Sequence, residues 1–284
     1  MIVVTGATGQ LGRLVVQDLL TRVPADQVIA AVRSPEKAGD LAERGVQVRE
    51  ADYDRPDTLK TAFEGADKVL LISGSEVGRR IPQHQAVIDA ATDAGVSFLA
   101  YTSVLHADTS TLPVAPEHKV TEEAIKASGL TYSLLRNGWY NENYIPAAQQ
   151  AAATGAIISS THDGRVAAAS RADYAAAAAV VLTEDGHADS VYELTGDTAW
   201  SMDDLAADVT ALAATPVTHQ DLSTEAHTAA LTEAGLPETV VQMLVSIDSS
   251  IADGQLARTT GDLARLIGRP TTALRTTLAD ALGN

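Results

Sequence analysis

The chain has 284 residues, 45% hydrophobic and 20% charged, enough for one large domain with a sizeable core or a large domain plus a small one. Twenty Lys and Arg against 37 Asp and Glu give a formal charge of −17. That opposes nucleic acid or an anionic membrane as a partner, while a single phosphate site built from local donors stays permitted.

Cysteine is absent, which excludes disulfides, thiolate nucleophiles and cysteine-based zinc sites. The longest aliphatic block, Ala175–Leu182, is too short to span a bilayer. Met1–Thr5 already reads as a core strand, and nothing marks the chain for export. A cytoplasmic protein is the expectation.

Short β-branched runs alternate with amphipathic stretches through the first half. The first strand is predicted at Ile2–Thr5 and the first helix near Leu11–Arg22. Strand Val28–Val32 and a helix near Pro35–Glu43 follow, then strand Val46–Glu50 and a helix near Asp57–Glu64. Strand Lys68–Ile72, a helix near Arg79–Ala94, strand Ser97–Thr102, a helix near Glu117–Ser128 and strand Thr131–Arg136 complete the series. Gly45, Gly65, Gly95 and Gly129 each sit just past a helix, where chains commonly turn out of helical geometry.

After Arg136 the pattern changes to a polar and aromatic segment, Asn137–Tyr144. A helix over Arg171–Leu182 and a short strand over Val191–Leu194 follow. From Ser201 onward the signal is almost wholly helical. The fold class is therefore α/β, a Rossmann doubly wound parallel sheet with a small, mainly helical C-terminal lobe. The expected division is a nucleotide-binding domain over 1–136, completed by 171–196, and a substrate-binding lobe from 137–170 and 197–284.

The strongest motif is Thr5-Gly6-Ala7-Thr8-Gly9-Gln10-Leu11-Gly12, at the first strand-to-helix junction. Gly6 permits the sharp turn, Gly9 the approach of a pyrophosphate, and Gly12 close packing of helix on sheet. The N–H groups at the helix start, with the helix dipole, favour phosphate charge. The second strand ends Val32-Arg33-Ser34, where an acidic residue would bind the ribose hydroxyls of NAD. Arg33 can instead pair with a 2′-phosphate, so NADPH is the expected cofactor. Ser73, Gly74 and Ser75, just past the fourth strand, are small enough to let the nicotinamide ribose come close. Asp52 is either an adenine contact or a surface loop carboxylate.

A typical short-chain dehydrogenase carries Tyr-x-x-x-Lys on the helix after the fifth strand, and none of the seven tyrosines here has a lysine four residues on. His118 and Glu122 share a face of that helix in their stead. His118 is the candidate catalytic acid, with Glu122 positioned to raise its pKa. The favoured alternative is a solvent-facing histidine in a helix salt-bridge pattern. Loss of the tyrosine points to an acceptor that needs no strong acid. Hydride addition to a quinone yields a phenolate-like anion, and phenols have a pKa of about 10, so water can complete the protonation. No His-Glu-x-x-His pattern or Gly-x-Ser-x-Gly elbow occurs, and no metal site is expected.

The segments Met1–Gly12, Leu71–Gly78, Tyr101–Ser110, Leu135–Tyr144 and Arg171–Ala175 resemble the NmrA-like branch of atypical short-chain dehydrogenase/reductases. Within it they are most similar to the bacterial NAD(P)H:quinone oxidoreductases of the second type. The resemblance implies NADPH held by Gly6, Ala7, Thr8, Gly9, Gln10, Leu11, Arg33, Ser73, Gly74 and Ser75. To these it adds Gly138, Trp139, Tyr140, Asn141, Glu142 and Asn143. It also implies a quinone cleft beside a small C-terminal lobe, and related dye reductases extend the acceptor class to large conjugated molecules. Trp139, Tyr140 and Tyr144 read equally as a stacking wall for the acceptor or as an apolar hinge. Two other functions stay open: a ketone or enone reductase using His118, Ser103 or a tyrosine as donor, and a non-catalytic NADP(H) redox sensor. An oligomer is compatible with the sequence, which shows no unambiguous interface pattern.

Overall fold

The structure, a computed structural model, describes residues 1–283. They form two compact units. The first comprises Met1–Asp108, Val114–Asn137 and Arg171–Glu193; the second comprises Thr109–Pro113, Gly138–Ser170 and the chain from Leu194 onward.

The first unit is built from the alternating series read in the sequence. It runs β1 (Ile2–Thr5), α1 (Gln10–Leu19), β2 (Val28–Val32), α2 (Gly39–Glu43), β3 (Gln47–Glu50), α3 (Pro56–Ala62), β4 (Lys68–Leu71), α4 (Arg80–Asp93), β5 (Phe98–Val104), α5 (Ala115–Ala127) and β6 (Tyr132–Asn137). These strands lie in the order β3-β2-β1-β4-β5-β6, with every adjacent pair in that run parallel. The order reverses between β1 and β4. A sheet of this kind binds ligands outside the carboxyl ends of its strands at that reversal.

Strand residues alternate between faces. Val3, Ile29, Val69, Leu71 and Leu99 share a buried cluster with Leu59 of α3, Phe63 just past that helix, Val87 and Ile88 of α4, and Ile125 of α5. The intervening Val4, Ala30, Leu70 and Ala100 are fully buried as well, so both faces of the sheet are covered. On the opposite side α1 packs against α7 (Arg171–Thr183). The run Ala175–Leu182 is buried throughout, its small side chains letting α7 approach both α1 and the sheet. Among the described residues no helix is long and apolar enough to cross a membrane. Strand β8 (Ser190–Leu194) extends the sheet beside β6.

In the second unit α6 (Ile145–Thr154) leads into β7 (Ala156–Ser159). After β8 come α8 (Met202–Ala213), β9 (Thr218–Asp221), α9 (Thr224–Glu233), α10 (Glu238–Ala252), α11 (Asp262–Ile267) and α12 (Leu274–Leu282). The unit is mainly helical, as expected. It also contains a two-stranded parallel sheet, β7 with β9, that the sequence pattern does not predict. Ser201 starts α8 with a capping box: its hydroxyl accepts from the Asp204 N–H, and the Asp204 carboxylate accepts from the Ser201 N–H. A Ser159–His219–Asp203 chain (2.8 and 3.0 Å) ties β7 and β9 to α8. Ser159 is only 4% exposed, which marks the chain as a tether and not a nucleophile's relay.

Candidate active site

The glycine turn follows β1. Thr5 ends that strand fully buried, its hydroxyl donating to the Leu70 carbonyl (3.0 Å) and accepting from the Ile72 N–H (3.0 Å). The Tyr53 hydroxyl sits 2.5 Å from Thr5 Oγ1 and 2.9 Å from the Ile72 carbonyl, and burial raises its pKa. The carboxyl ends of β1 and β4 are thus tied from below. Gly6 has φ +58°, the left-handed geometry glycine adopts without strain. A Cβ on Gly12 would lie 2.3 Å from the Gly6 carbonyl oxygen, so only glycine lets α1 close on the turn. Gly9 begins α1 without a side-chain cap, and the first turn carries no acidic residue. The first N–H groups of α1 and the positive end of its dipole therefore suit an anion. Ala7 and Leu11 are buried anchors, Thr8 is half-buried, and Gly6, Gly9 and Gln10 are exposed.

Arg33 leaves the end of β2 with its side chain 70% exposed, one guanidinium nitrogen 3.4 Å from a Glu76 carboxylate oxygen. Asp52 is engaged in its own turn. Its carboxylate accepts from the Asp54 N–H (3.1 Å) and lies 3.4 Å from Arg55 Nε.

Beyond β4, three successive backbone N–H groups are met by side chains from three different elements. Ile72 donates to Thr5 Oγ1, Ser73 to Thr102 Oγ1 (2.9 Å) and Gly74 to His84 Nε2 (3.0 Å). The Gly74 carbonyl accepts from Arg80 Nε (2.7 Å). Glu117 accepts from the N–H groups of Gly78 and Arg80 (3.0 and 3.2 Å). Ser73 and Gly74 are half-buried, and Ser75 is exposed.

His118 is not the solvent-facing helix residue of the favoured alternative. It is buried, not solvent-facing, and its Nδ1 lies 2.7 Å from the Tyr101 hydroxyl. Glu122 does not raise its pKa. Burial, the Arg80 guanidinium and His84 push it down to about 3. Glu122 instead takes two hydrogen bonds from Arg136 (2.9 and 2.7 Å) and one from the Ser103 hydroxyl (2.6 Å). Arg136, itself buried, also reaches Asp108 (2.9 Å) and Glu193 (2.8 Å). An imidazole held neutral donates only weakly, and the Ser103 proton is already committed. Neither residue fits a strong general acid, and burial pushes the Tyr101 phenol up.

In the second unit, the Gly138–Asn143 segment is held by backbone bonds. Gly138 N–H donates to Leu194, Ala169 N–H to Trp139 and Asn141 N–H to Ala169 (2.8, 3.0 and 2.9 Å). The Asn141 amide nitrogen donates to the Thr272 carbonyl (3.0 Å) and lies 3.3 Å from Thr277 Oγ1. That side chain thereby braces the segment. Trp139, Tyr140 and Glu142 are half-buried and Asn143 is exposed. Tyr144 packs edge-on to Trp200, ring centroids 4.6 Å apart, so its ring belongs to the packing of this unit. The sequence could not pair Tyr144 with Trp200, nor Asn141 with Thr272, because each pair is separated by tens of residues. Among the described residues no group of three or more His, Asp or Glu side chains is arranged to hold a metal ion.

The family model described as NAD(P)H-binding matches residues 6–185. The chain is 51% identical over 274 residues to quinone oxidoreductase 2 of Escherichia coli (strain K12), covering 96% of each. Among solved structures it is similar to the NADPH-dependent quinone oxidoreductase QOR2 of Escherichia coli complexed with NADPH. That match has a TM-score of 0.97 and 50% identity over 100% of both chains. The Citrobacter sp. triphenylmethane reductase complexed with NADP(H) matches with a TM-score of 0.95 and 41% identity, covering 99% of this chain and 100% of that one.

Proposed function

Because the chain belongs to the NAD(P)H-binding family, we propose that it is an NADPH-dependent oxidoreductase that reduces quinones or similar conjugated acceptors. The observation that carries this reading is the β1–α1 turn, in which Gly12 admits no Cβ and α1 begins with uncapped N–H groups, set in a sheet whose β2 is followed directly by Arg33. These residues fit a dinucleotide with a 2′-phosphate. NADPH, when bound, supplies the hydride.

The chain's own residues divide the remaining work. Gly6 to Leu11 receive the pyrophosphate, Arg33 the 2′-phosphate, and Ser73 to Ser75 the nicotinamide ribose. Gly138 to Asn143 complete the set on the resemblance noted above, and Trp139 and Tyr140 offer flat apolar surface to a conjugated acceptor. Cofactor binding is assigned to 1–136 and 171–196, and acceptor binding to 137–170 and 197–284. None of these groups is a strong acid at neutral pH. Protonation of the reduced acceptor is left to water, which suits a quinone, whose reduced form is a stabilised phenolate. Ketone reduction creates a far more basic alkoxide and needs a donor that His118, Ser103 and Tyr101 are poorly placed to be. A small-molecule acceptor and a cytoplasmic setting complete the proposal.

The test follows NADPH absorbance with purified protein, with and without a small p-quinone. Oxidation that requires the quinone supports the enzyme. Tight NADPH binding with no oxidation would replace it with a redox sensor.

A further inference from the structure

The backbone N–H groups of the segment leaving β4 donate to side chains, and one of the acceptors differs chemically from the others. Thr5 and Thr102 accept through hydroxyls, which rotate to suit. Gly74 donates to an imidazole nitrogen, His84 Nε2, which accepts only when it carries no proton. The other ring nitrogen, Nδ1, lies 2.9 Å from Thr121 Oγ1. The Thr121 hydroxyl donates to the Glu117 carbonyl (2.8 Å), so toward His84 it must accept. Both ends of the ring are therefore specified: Nδ1 carries the proton and Nε2 presents its lone pair to Gly74.

The surroundings favour that neutral form. His84 is 0% exposed, between the edge-on rings of Tyr53 and Tyr101. Arg80, one turn earlier on α4, adds a positive charge that disfavours a second one on the ring. The same Arg80 donates to the Gly74 carbonyl, so α4 grips this one residue through both its N–H and its C=O. A Cβ on Gly74 would stand 3.0 Å from Gln83 Oε1, so that side chain packs close against the gripped residue.

We propose that His84 is a positioning residue: it holds Gly74 through a tautomer that Thr121 enforces, and so sets the Ser73–Ser75 segment for the cofactor. The proposal rests on the reading of Ser73–Ser75 as part of the NADPH site. A segment whose N–H groups are already satisfied need not be ordered when ligand arrives, which removes part of the cost of binding. His84 acts through Gly74 and touches no reacting atom.

The test compares His84→Leu with His84→Gln, whose Oε1 can place an acceptor where Nε2 stood. NADPH affinity is read by fluorescence titration, alongside KM and kcat. His84→Leu is expected to weaken NADPH binding about tenfold or more, with the loss falling on KM for NADPH and not on kcat. His84→Gln is expected to recover affinity to within about threefold of the unsubstituted protein. Unchanged binding in His84→Leu, or equal loss in both variants, would overturn the proposal. Should His84→Leu not fold, nitrogen-15 NMR of the unsubstituted protein decides. At pH 7 the His84 ring should show Nδ1 protonated and Nε2 bare, and the opposite tautomer or an imidazolium overturns the assignment. If the unsubstituted protein binds no NADPH at all, the cofactor reading fails and takes this inference with it, whichever tautomer the ring shows.

Discussion

Arg33 leaves β2 with a long, exposed contact to Glu76, and an ion pair of that kind contributes about 0–1 kcal/mol. An incoming 2′-phosphate therefore displaces little and gains a charge-assisted pair. Replacing Arg33 with Gln should weaken NADPH binding by about tenfold or more while leaving NADH binding unchanged, as read by titration with each. Equal losses for both cofactors would mean that Arg33 supports the fold instead. His118 makes the opposite case. Arg33 could be understood from its place at a strand end, whereas the state of His118 depends on Tyr101, Arg80 and His84, which come from β5 and α4. Periodicity along α5 correctly put Glu122 on the same face but could not show that Arg136 and Ser103 claim it. The pH consequence has a definite sign. His118 and His84 titrate near 6.5 when unfolded and fall to about 3 and about 4 in the fold. Between those limits the unfolded chain binds more protons, so stability is full above 6.5 and is lost as pH drops toward 4, by about 1.4 kcal/mol per pH unit for each group. His118→Asn keeps an acceptor for Tyr101 and removes one titration. Its denaturant midpoint should fall less steeply than the parent's between pH 6.5 and 4.5; parallel curves would contradict the buried neutral assignment.

The junction of β1 and α1 shows what an element requires of a single position. A methyl group on Gly12 would meet the Gly6 carbonyl at 2.3 Å and the Ala7 Cα at 2.8 Å, both backbone atoms that cannot swing aside. Gly12→Ala should cost about 1–3 kcal/mol of stability through forced displacement of α1. NADPH affinity should fall with it, because the same shift misplaces the phosphate-binding N–H groups. A variant with unchanged melting temperature and NADPH affinity would show that the helix has room the geometry denies. This junction was legible because a strand, a glycine triplet and a helix follow one another within twelve residues. So were the six parallel strands, short runs that alternate regularly with helical stretches. Strand β9 was not: Thr218-His219-Gln220-Asp221 is polar and mostly exposed, lacks the alternation that marks a half-buried strand, and is held by pairing with β7. The aromatic segment 137–144 was visible as a concentration of side chains, but the acts of its members were not. Trp200 takes Tyr144 and the loop before α12 takes Asn141, contacts set by tertiary packing.

For the molecule as a whole, the charge of −17 opposes polyanionic partners, the absence of cysteine excludes thiol chemistry, and the regular βαβ rhythm makes the fold class legible. The residues that would serve as proton donors are instead buried, neutral or bound to one another, which supports the proposal of a conjugated acceptor. On the proposed function, the protein orients a conjugated acceptor for hydride transfer and supplies no strong acid. The most direct test is kcat/KM with saturating NADPH for a small p-quinone and for a simple aryl ketone of similar size, measured at pH 7. Efficient turnover with the quinone, and a rate at least about a hundredfold lower with the ketone, the scale of a missing general acid, is the expectation. Comparable or faster reduction of the ketone would contradict it and would require a proton donor among the residues assigned here to packing.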